Sequence, residues 1–369
     1  MSVHVSFARR LSPAFCVDVD IDVPPGITIL FGASGSGKST ILRSIAGLSR
    51  PDSGRITLND STLFDAERGI DLPPQQRRVG VVFQQLALFP HLTVAGNIGY
   101  GLHRLTGSER QARIAAIANS FHIAGLLHRR PAQISGGERQ RAALARTLVT
   151  EPAALLLDEP LSALDHRIQS RIIEDLRRWN EARRIPVLYV THAHREVYAL
   201  GERVVVLDAG TVVATGTPHE VLDDPGRGVI AELAGFENRL AGRVVARRRD
   251  TGTMSVRVDG GSLALDVPLT DTPDERVTVA IRAGDILLAT VAPAGISARN
   301  ILQGRIAGLA REGPAVVAHV DAAVPFVVHL TPASVEDLAL QTGSHVWLIV
   351  KTYSCRIAAG EYEDRHQSS

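Results

Sequence analysis

Residues 32–40 read GASGSGKST, a run whose residue types and spacing suit phosphate chemistry. Gly32, Gly37, Lys38 and Ser39 fill the invariant places of G-x-x-x-x-G-K-[ST]. The backbone N–H groups of Gly32, Ala33, Ser34, Gly35, Ser36 and Gly37 would curl inward at a helix N-terminus and cradle phosphate oxygens. Lys38 would neutralise the β- and γ-phosphates, the Ser39 hydroxyl would hold a magnesium ion, and Thr40 would donate to the α-phosphate. Taken alone, such a loop serves a kinase, a GTPase or a transport ATPase equally well.

Four further stretches carry chemistry. In LLLDE, Asp158 would hold magnesium through water, and Glu159 would accept a proton from an attacking water. Gln84 ends the apolar run VVF, where its amide could touch both the magnesium ion and that water. His192 ends YVT and could bridge to the γ-phosphate, with His194 close by as a rival. Each has a plainer reading: acids where a strand meets solvent, a surface glutamine, a structural histidine. The fourth stretch is ISGGE, where Ser135, Gly136 and Gly137 open a helix and offer a second anion site. It lies far along the chain from Lys38, in a helical region, so two chains would share one nucleotide.

These residues need elements to hold them. Apolar residues 27–31 form a strand before the glycine loop, and Ile41, Leu42, Ile45 and Ala46 recur at helical spacing until Gly47 ends the helix. Val17, Val19, Ile21 and Val23 alternate as in a half-buried antiparallel strand. Residues 77–84, 155–158 and 187–191 read as buried strands, the last two separated by a charged helix over 168–183. Strands alternating with helices predict a parallel sheet covered on both faces. Residues 90–150 are helical in pattern, and 204–208 with 211–214 form a closing hairpin. Beyond residue 236 short strands and turns predict one or two small barrels.

The chain has 369 residues with 40 Lys plus Arg against 39 Asp plus Glu, a balance that gives no electrostatic case for a nucleic-acid partner. Cys16 and Cys355 match no metal spacing and predict a reducing, cytosolic setting. No apolar run reaches membrane-spanning length.

With these motifs in order, residues 1 to about 235 resemble the ATP-binding-cassette family. GASGSGKST is similar to its Walker A loop, LLLDEP to its Walker B strand, ISGGE to its signature, and LSALD to its D-loop, which adds Asp165 to the nucleotide-binding set. Gln84 matches the Q-loop and His192 the switch histidine. The resemblance implies an α/β P-loop NTPase cassette: a parallel-sheet core plus a helical subdomain over about 90–150. It also implies a head-to-tail homodimer with ATP and Mg2+ between the subunits, docked on transmembrane permease subunits at the cytoplasmic face of the membrane. Phe15 is the nearest candidate for stacking on adenine.

DAERGIDLPPQQRRVGVVFQ and LFPHLTVAGNIGYG resemble the ATPases of molybdate importers. In the tail, ISARNILQGRI, TPASVEDLALQTG and VKTYS resemble an all-β, OB-like molybdate-binding barrel of the TOBE or Mop kind over 292–358, after a linker and first barrel-like segment at 236–291. Ser297, Arg299, Asn300, Ser334 and Lys351 could give a tetrahedral oxyanion the hydroxyls, amide and cations it needs. Their plainer reading is a strand start and a solvated charge. Residues 359–369 read as a loose tail. An external molybdate-binding protein is implied as an indirect partner. The alternatives are an importer for sulfate, ferric ion, polyamine or sugar, and a non-transport cassette protein, which usually carries two cassettes or long coiled coils.

Overall fold

The computed structural model describes residues 1–162, 164, 166–223, 228–313 and 315–359. Asp165 and residues 360–369 of the expected loose tail lie outside them. The chain forms two compact units, Met1–Val221 and Leu222–Ser369.

At the centre of the first unit, Gly26–Phe31, Ala154–Asp158 and Pro186–Thr191 are buried along nearly their whole lengths. Strands this apolar need cover on both faces, which parallel pairing with crossover helices provides. The parallel order is Arg203–Asp208, Gly26–Phe31, Pro186–Thr191, Ala154–Asp158, Val79–Val82. Leu30, Leu156, Leu188 and Val205 share one apolar cluster with Ile41, Leu42 and Ile45 of the helix Lys38–Ala46. The hairpin strand Thr211–Gly216 pairs antiparallel with Arg203–Asp208 and parallel with Phe15–Val23, beyond which Val3–Ser12 and Ser53–Leu58 extend the sheet antiparallel. The alternating Val17, Val19, Ile21 and Val23 are all buried. Because the five parallel strands run one way, their C-terminal ends share one edge, where ligands bind in open α/β sheets.

The helical region contains Val94–Ile98, Gly107–Ser120 and Gly136–Leu148. Ser135 is the N-cap of the last: its hydroxyl accepts from the Glu138 N–H at 3.4 Å, and the Glu138 carboxylate accepts from the Ser135 N–H at 2.7 Å. This reciprocal capping starts the helix where the serine stands.

The second unit holds two five-stranded antiparallel sheets among its described residues. One runs Ala264–Pro268, Thr253–Val258, Asn238–Arg248, Arg276–Ile281, Cys355–Ala359; the other runs Leu287–Ala289, His345–Val350, Asn300–Glu312, Ala315–Asp321, Pro325–Leu330. One apolar cluster includes inward residues of both sheets, among them Val256, Val279, Val320 and Leu348. The sequence divides the tail at 291/292, but Cys355–Ala359, from the second segment, pairs with Arg276–Ile281 of the first. The unit also begins earlier than 236. Ala231, Ala234 and Phe236 pack on Ala280, Arg282 lies over the Phe236 ring, and its Nε donates to the Ala234 carbonyl at 2.9 Å.

One buried cation ties the loop helix to the strand leading to Gln84. Arg77, 1 % exposed, donates to the Ser44 and Ile45 carbonyls at the end of helix Lys38–Ala46, to the Leu72 carbonyl, and to Asp71 at 2.7 Å. The helix ends at Gly47 with φ 77°, where a Cβ would sit 2.6 Å from Arg77 Nε. A guanidinium at a helix C-terminus also suits the dipole. Replacing it strands carbonyls and a carboxylate, so Arg77→Met is expected to cost about 3 kcal/mol. Urea unfolding of both proteins checks this; an unshifted midpoint would contradict the capping role.

Candidate nucleotide site

The residues after four parallel strands converge at the shared edge. Gly32 follows Gly26–Phe31, Gln84 comes shortly after Val79–Val82, Glu159 follows Ala154–Asp158, and His192 follows Pro186–Thr191. Strand register makes this possible, since Val82 pairs with Leu157 and Asp158 with Val190. The Glu159 N–H still donates to the Val190 carbonyl at 3.1 Å, yet its φ of 43° turns the chain out of the strand. A left-handed glutamate is costly for an L-residue and characteristic of functional turns.

Two glycines of the loop are required by close approach. A Cβ at Gly32 would lie 2.2 Å from the Leu207 carbonyl oxygen, and one at Gly37 would lie 2.7 Å from Val17 Cγ2. Gly37 also N-caps the helix at φ 105°. Lys38 is buried beneath the loop and donates to the Gly32 and Ala33 carbonyls at 2.9 and 2.6 Å. Burial pushes its ammonium below the usual value, with Glu159 and then Asp158 pulling it back. Ser36 Oγ is buried with no hydrogen-bond partner, an orphaned hydroxyl within the glycine loop. Such a group fits an anion seated in the loop.

The Ser39 hydroxyl donates to Asp158 Oδ1 at 3.3 Å. Burial pushes the Asp158 carboxyl above its usual range, the Ser39 hydrogen bond opposes this, and the Glu159 charge adds to it. Glu159 is held from two sides: Gln84 Nε2 donates to Oε2 at 3.4 Å, and His192 Nδ1 lies 3.1 Å from Oε1. His194, the rival histidine, packs edge-on against Phe31 with ring centroids 5.1 Å apart. Among the described residues no three His, Cys, Asp or Glu side chains form a metal cage. The oxygen set of one carboxylate, one hydroxyl and one amide suits a cation that keeps water and phosphate ligands, as Mg2+ does.

A cleft of about 340 Å³ follows the loop over Ser34, Gly35, Gly37, Lys38, Ser39 and Thr40, and is also lined by Leu11, Phe15 and Glu159. Phe15 therefore borders the loop, and Leu11 joins it as an apolar wall with no sequence signal. An equally large cleft at Pro24, Gly26, Glu202 and Glu220 lies at the N-terminal ends of the strands and has no phosphate loop. Chemistry, not size, distinguishes them.

Ser135, Gly136 and Gly137 stand apart from this cluster. The hydrogen bonds of the Ser135 side chain stay within its own turn, and those from Ser135 hold the Glu138 carboxyl below the usual range. Two residues without a motif brace the loop after Gln84. Asn97, fully buried, exchanges hydrogen bonds with both the N–H and the carbonyl of Phe89 at 2.8 and 3.1 Å. Arg146 donates to the Ala87 and Leu86 carbonyls at 2.7 and 3.2 Å and lies over the Phe89 ring. A polar residue inside an apolar helix turn was the available signal for Asn97.

The tail residues go to separate tasks. Asn300 is buried: its Oδ1 accepts from the Asp266 N–H at 2.7 Å and its Nδ2 donates to the Asp266 carbonyl at 2.9 Å, so its amide is committed within the domain rather than to an anion. Arg299 Nε lies 3.6 Å from Asp266 Oδ2. The Ser334 and Thr331 hydroxyls share a 2.8 Å hydrogen bond at the start of helix Pro332–Asp337. Ser297 and Lys351 are exposed.

Residues 16–162 match the family described as ABC transporter, and residues 296–357 match the TOBE domain. A molybdenum import ATP-binding protein from Mesorhizobium japonicum is 40 % identical over 359 residues, 96 % of each chain. The chain belongs to the ABC transporter family. A second relative of the same description, from Rhizobium meliloti, is 39 % identical over 95 % of this chain and 99 % of its own. Among solved structures, a subunit of an ABC transporter complex from Clostridium perfringens has a TM-score of 0.53 and 26 % identity, covering 59 % of this chain and 89 % of that one. A dimeric ATP-binding cassette bound to ADP and Pi has a TM-score of 0.51 and 27 % identity, covering 59 % and 99 %.

As an ABC ATPase the chain binds ATP, and Glu159 is the carboxylate that borders the loop cleft and contacts both Gln84 and His192. Glu159→Gln is expected to keep ATP affinity while lowering turnover by roughly 10²- to 10⁴-fold. Steady-state phosphate release and equilibrium ATP binding, measured together, check this; hydrolysis near the wild-type rate would move the base to another group, with His192 next in reach.

Proposed function

We propose that this chain is the ATP-hydrolysing subunit of a membrane importer for molybdate, two copies of which hold ATP head to tail. The carrying observation is that the likeness to molybdenum import ATP-binding proteins runs through both units. Cassettes alone are alike among importers of many solutes; the tail separates them. The dimeric cassette of similar fold supports two copies.

In this reading Lys38 meets the β- and γ-phosphates, and the loop N–H groups with Ser36 and Thr40 take the remaining oxygens. Ser39, Asp158 and Gln84 would hold Mg2+, which neutralises charge developing on the phosphates. Glu159 accepts the proton of the attacking water, held in place by Gln84 and His192. Ser135, Gly136 and Gly137 of the second copy present a helix N-terminus to the γ-phosphate, with Asp165 beside them. Stacking by Phe15 on adenine completes the site.

The loop after Gln84 would dock on the permease subunits at the cytoplasmic face, and an external molybdate-binding protein would act through them. Tyr100, 60 % exposed with its ring 4.4 Å from that of Phe89, supports a contact surface there. Among the described residues no helix is long and apolar enough to cross a membrane. The decisive experiment measures ATP turnover of the complete reconstituted transporter with a panel of oxyanions presented outside. Molybdate or tungstate should stimulate it; stimulation by sulfate alone would transfer the chain to a related importer.

The tail is proposed as a second molybdate site that senses cargo, with Arg299, Lys351, Ser297 and Ser334 as donors and Asn300 as the brace that holds the start of its strand, next to Arg299, to Asp266. Charge-assisted contacts of about 1.5–3 kcal/mol each are enough for binding by one or two cations. Calorimetry on the full-length chain should show molybdate binding that weakens in Lys351→Ala; equal binding of sulfate would reduce the tail to a dimerisation element.

A further inference from the structure

The helix that carries ISGGE meets the helix His166–Glu181 at two points. Near its start, a Cβ on Gly137 would lie 2.5 Å from Ile168 Cγ2. One turn later, Arg141 Nη2 lies 3.6 Å from Asp175 Oδ2. Residues 137 and 141 share one face of the first helix, and 168 and 175 share one face of the second. The first point is the Ile168 side chain seated on the bare backbone of Gly137. The second is an arm and a charge.

Asp175 is an unusual place for that charge. Its side chain is 6 % exposed, and its Oδ2 makes no hydrogen bond. Burial pushes its carboxyl above the usual range, with Arg141 and then His122 pulling it back. His122 Nε2 lies 3.6 Å away, reached by the turn after helix Gly107–Ser120, where His122 has φ 54°. Both partners therefore come from the helical region, and both converge on one carboxylate of the strand-covering helix. Arg171, Glu174 and Arg178 complete a cleft of about 320 Å³ around it, and Glu174 is already engaged by Arg178. For stability alone, an apolar residue of similar volume would serve as well as a buried ion pair. What a buried charge adds is orientation.

We propose that Asp175 is a positioning residue: through Arg141 it sets the angle at which helix Gly136–Leu148 presents Ser135, Gly136 and Gly137 to the nucleotide on a second copy. This rests on the shared-nucleotide reading above. The far half of the helix is held by Arg146 on the Ala87 and Leu86 carbonyls and by its buried alanines. At its near half the Gly137–Ile168 contact alone does not set the angle, and the Arg141–Asp175 pair does. The catalytic loop of the same chain is untouched, because Lys38, Ser39, Glu159 and His192 make no contact with Asp175.

Asp175→Asn keeps the shape and removes the charge. A misplacement of about 1 Å is worth on the order of 10² in rate, so a loosened helix should lower turnover of the full-length chain about tenfold. ATP affinity should stay within about twofold, since it is set by the chain's own loop. The melting temperature should fall by only a few degrees, since Arg141 keeps the Phe121 carbonyl as an acceptor at 3.4 Å. Arg141→Lys, which keeps the charge, should retain more turnover than Arg141→Met. Unchanged turnover in Asp175→Asn overturns the proposal. So does a parallel fall in melting temperature, affinity and turnover, which marks a structural contact only. Ser135→Arg run alongside separates the two readings. If that variant stays active, the shared nucleotide fails; if it is inactive while Asp175→Asn turns over normally, only the positioning role fails.

Discussion

The carboxylate of Glu159, clasped between Gln84 and His192, depends on a constraint that governs the whole first unit. Three side chains far apart in sequence must reach one another within hydrogen-bonding distance. They do so because three buried strands lie side by side in parallel register and end at one edge. A register slip by one residue would turn each side chain to the other face of the sheet. The apolar continuity of Ala154–Asp158 and Pro186–Thr191 therefore has a chemical consequence: it removes the freedom to slip.

Around that clasp, the acids and the lysine balance one another. Lys38 loses hydration beneath the loop, Asp158 loses it at the strand end, and each offsets part of the other's cost. An anion entering the loop would meet a buried ammonium and an orphaned Ser36 hydroxyl. On the far side, Asn97 and Arg146 fix the chain after Gln84 by its backbone carbonyls and amide, so a push on that loop reaches the amide touching Glu159. Phe89 of that segment also packs against the ring of Tyr100, which is 60 % exposed.

The fold and the nucleotide site were largely legible because their signals are local. A glycine loop between an apolar strand and a periodic helix, and acids after LLL, announce geometry within a few residues. Ser135 could be read as the start of its helix because Glu138 stands three residues on. The long-range bonds were not legible. Arg77 reads as the basic edge of a strand, yet it is buried against the end of a helix 32 residues earlier in the chain. Arg141 and Asp175 look like ordinary polar positions on amphipathic helices. In the tail, Asn300 offered an amide at the start of a strand, and nothing nearby in the sequence announced that Asp266 would occupy it. Across the 291/292 division, the strand pairing between residues 276–281 and 355–359 likewise leaves no local trace.

That pairing has a bearing on how the second unit can be inherited. Its chain leaves the first sheet after Arg276–Ile281, builds the second, and returns to lay Cys355–Ala359 beside the strand it left. Entry and exit are thus stitched together, and neither sheet is a cassette that recombination can lift out. A shuffled gene ending before Cys355 would leave Arg276–Ile281 with an open edge of unpaired N–H and carbonyl groups, the kind of edge that recruits foreign strands. On this topology an exchange between residues 281 and 355 would separate two paired strands, although the sequence of the tail reads as one or two small barrels in a row.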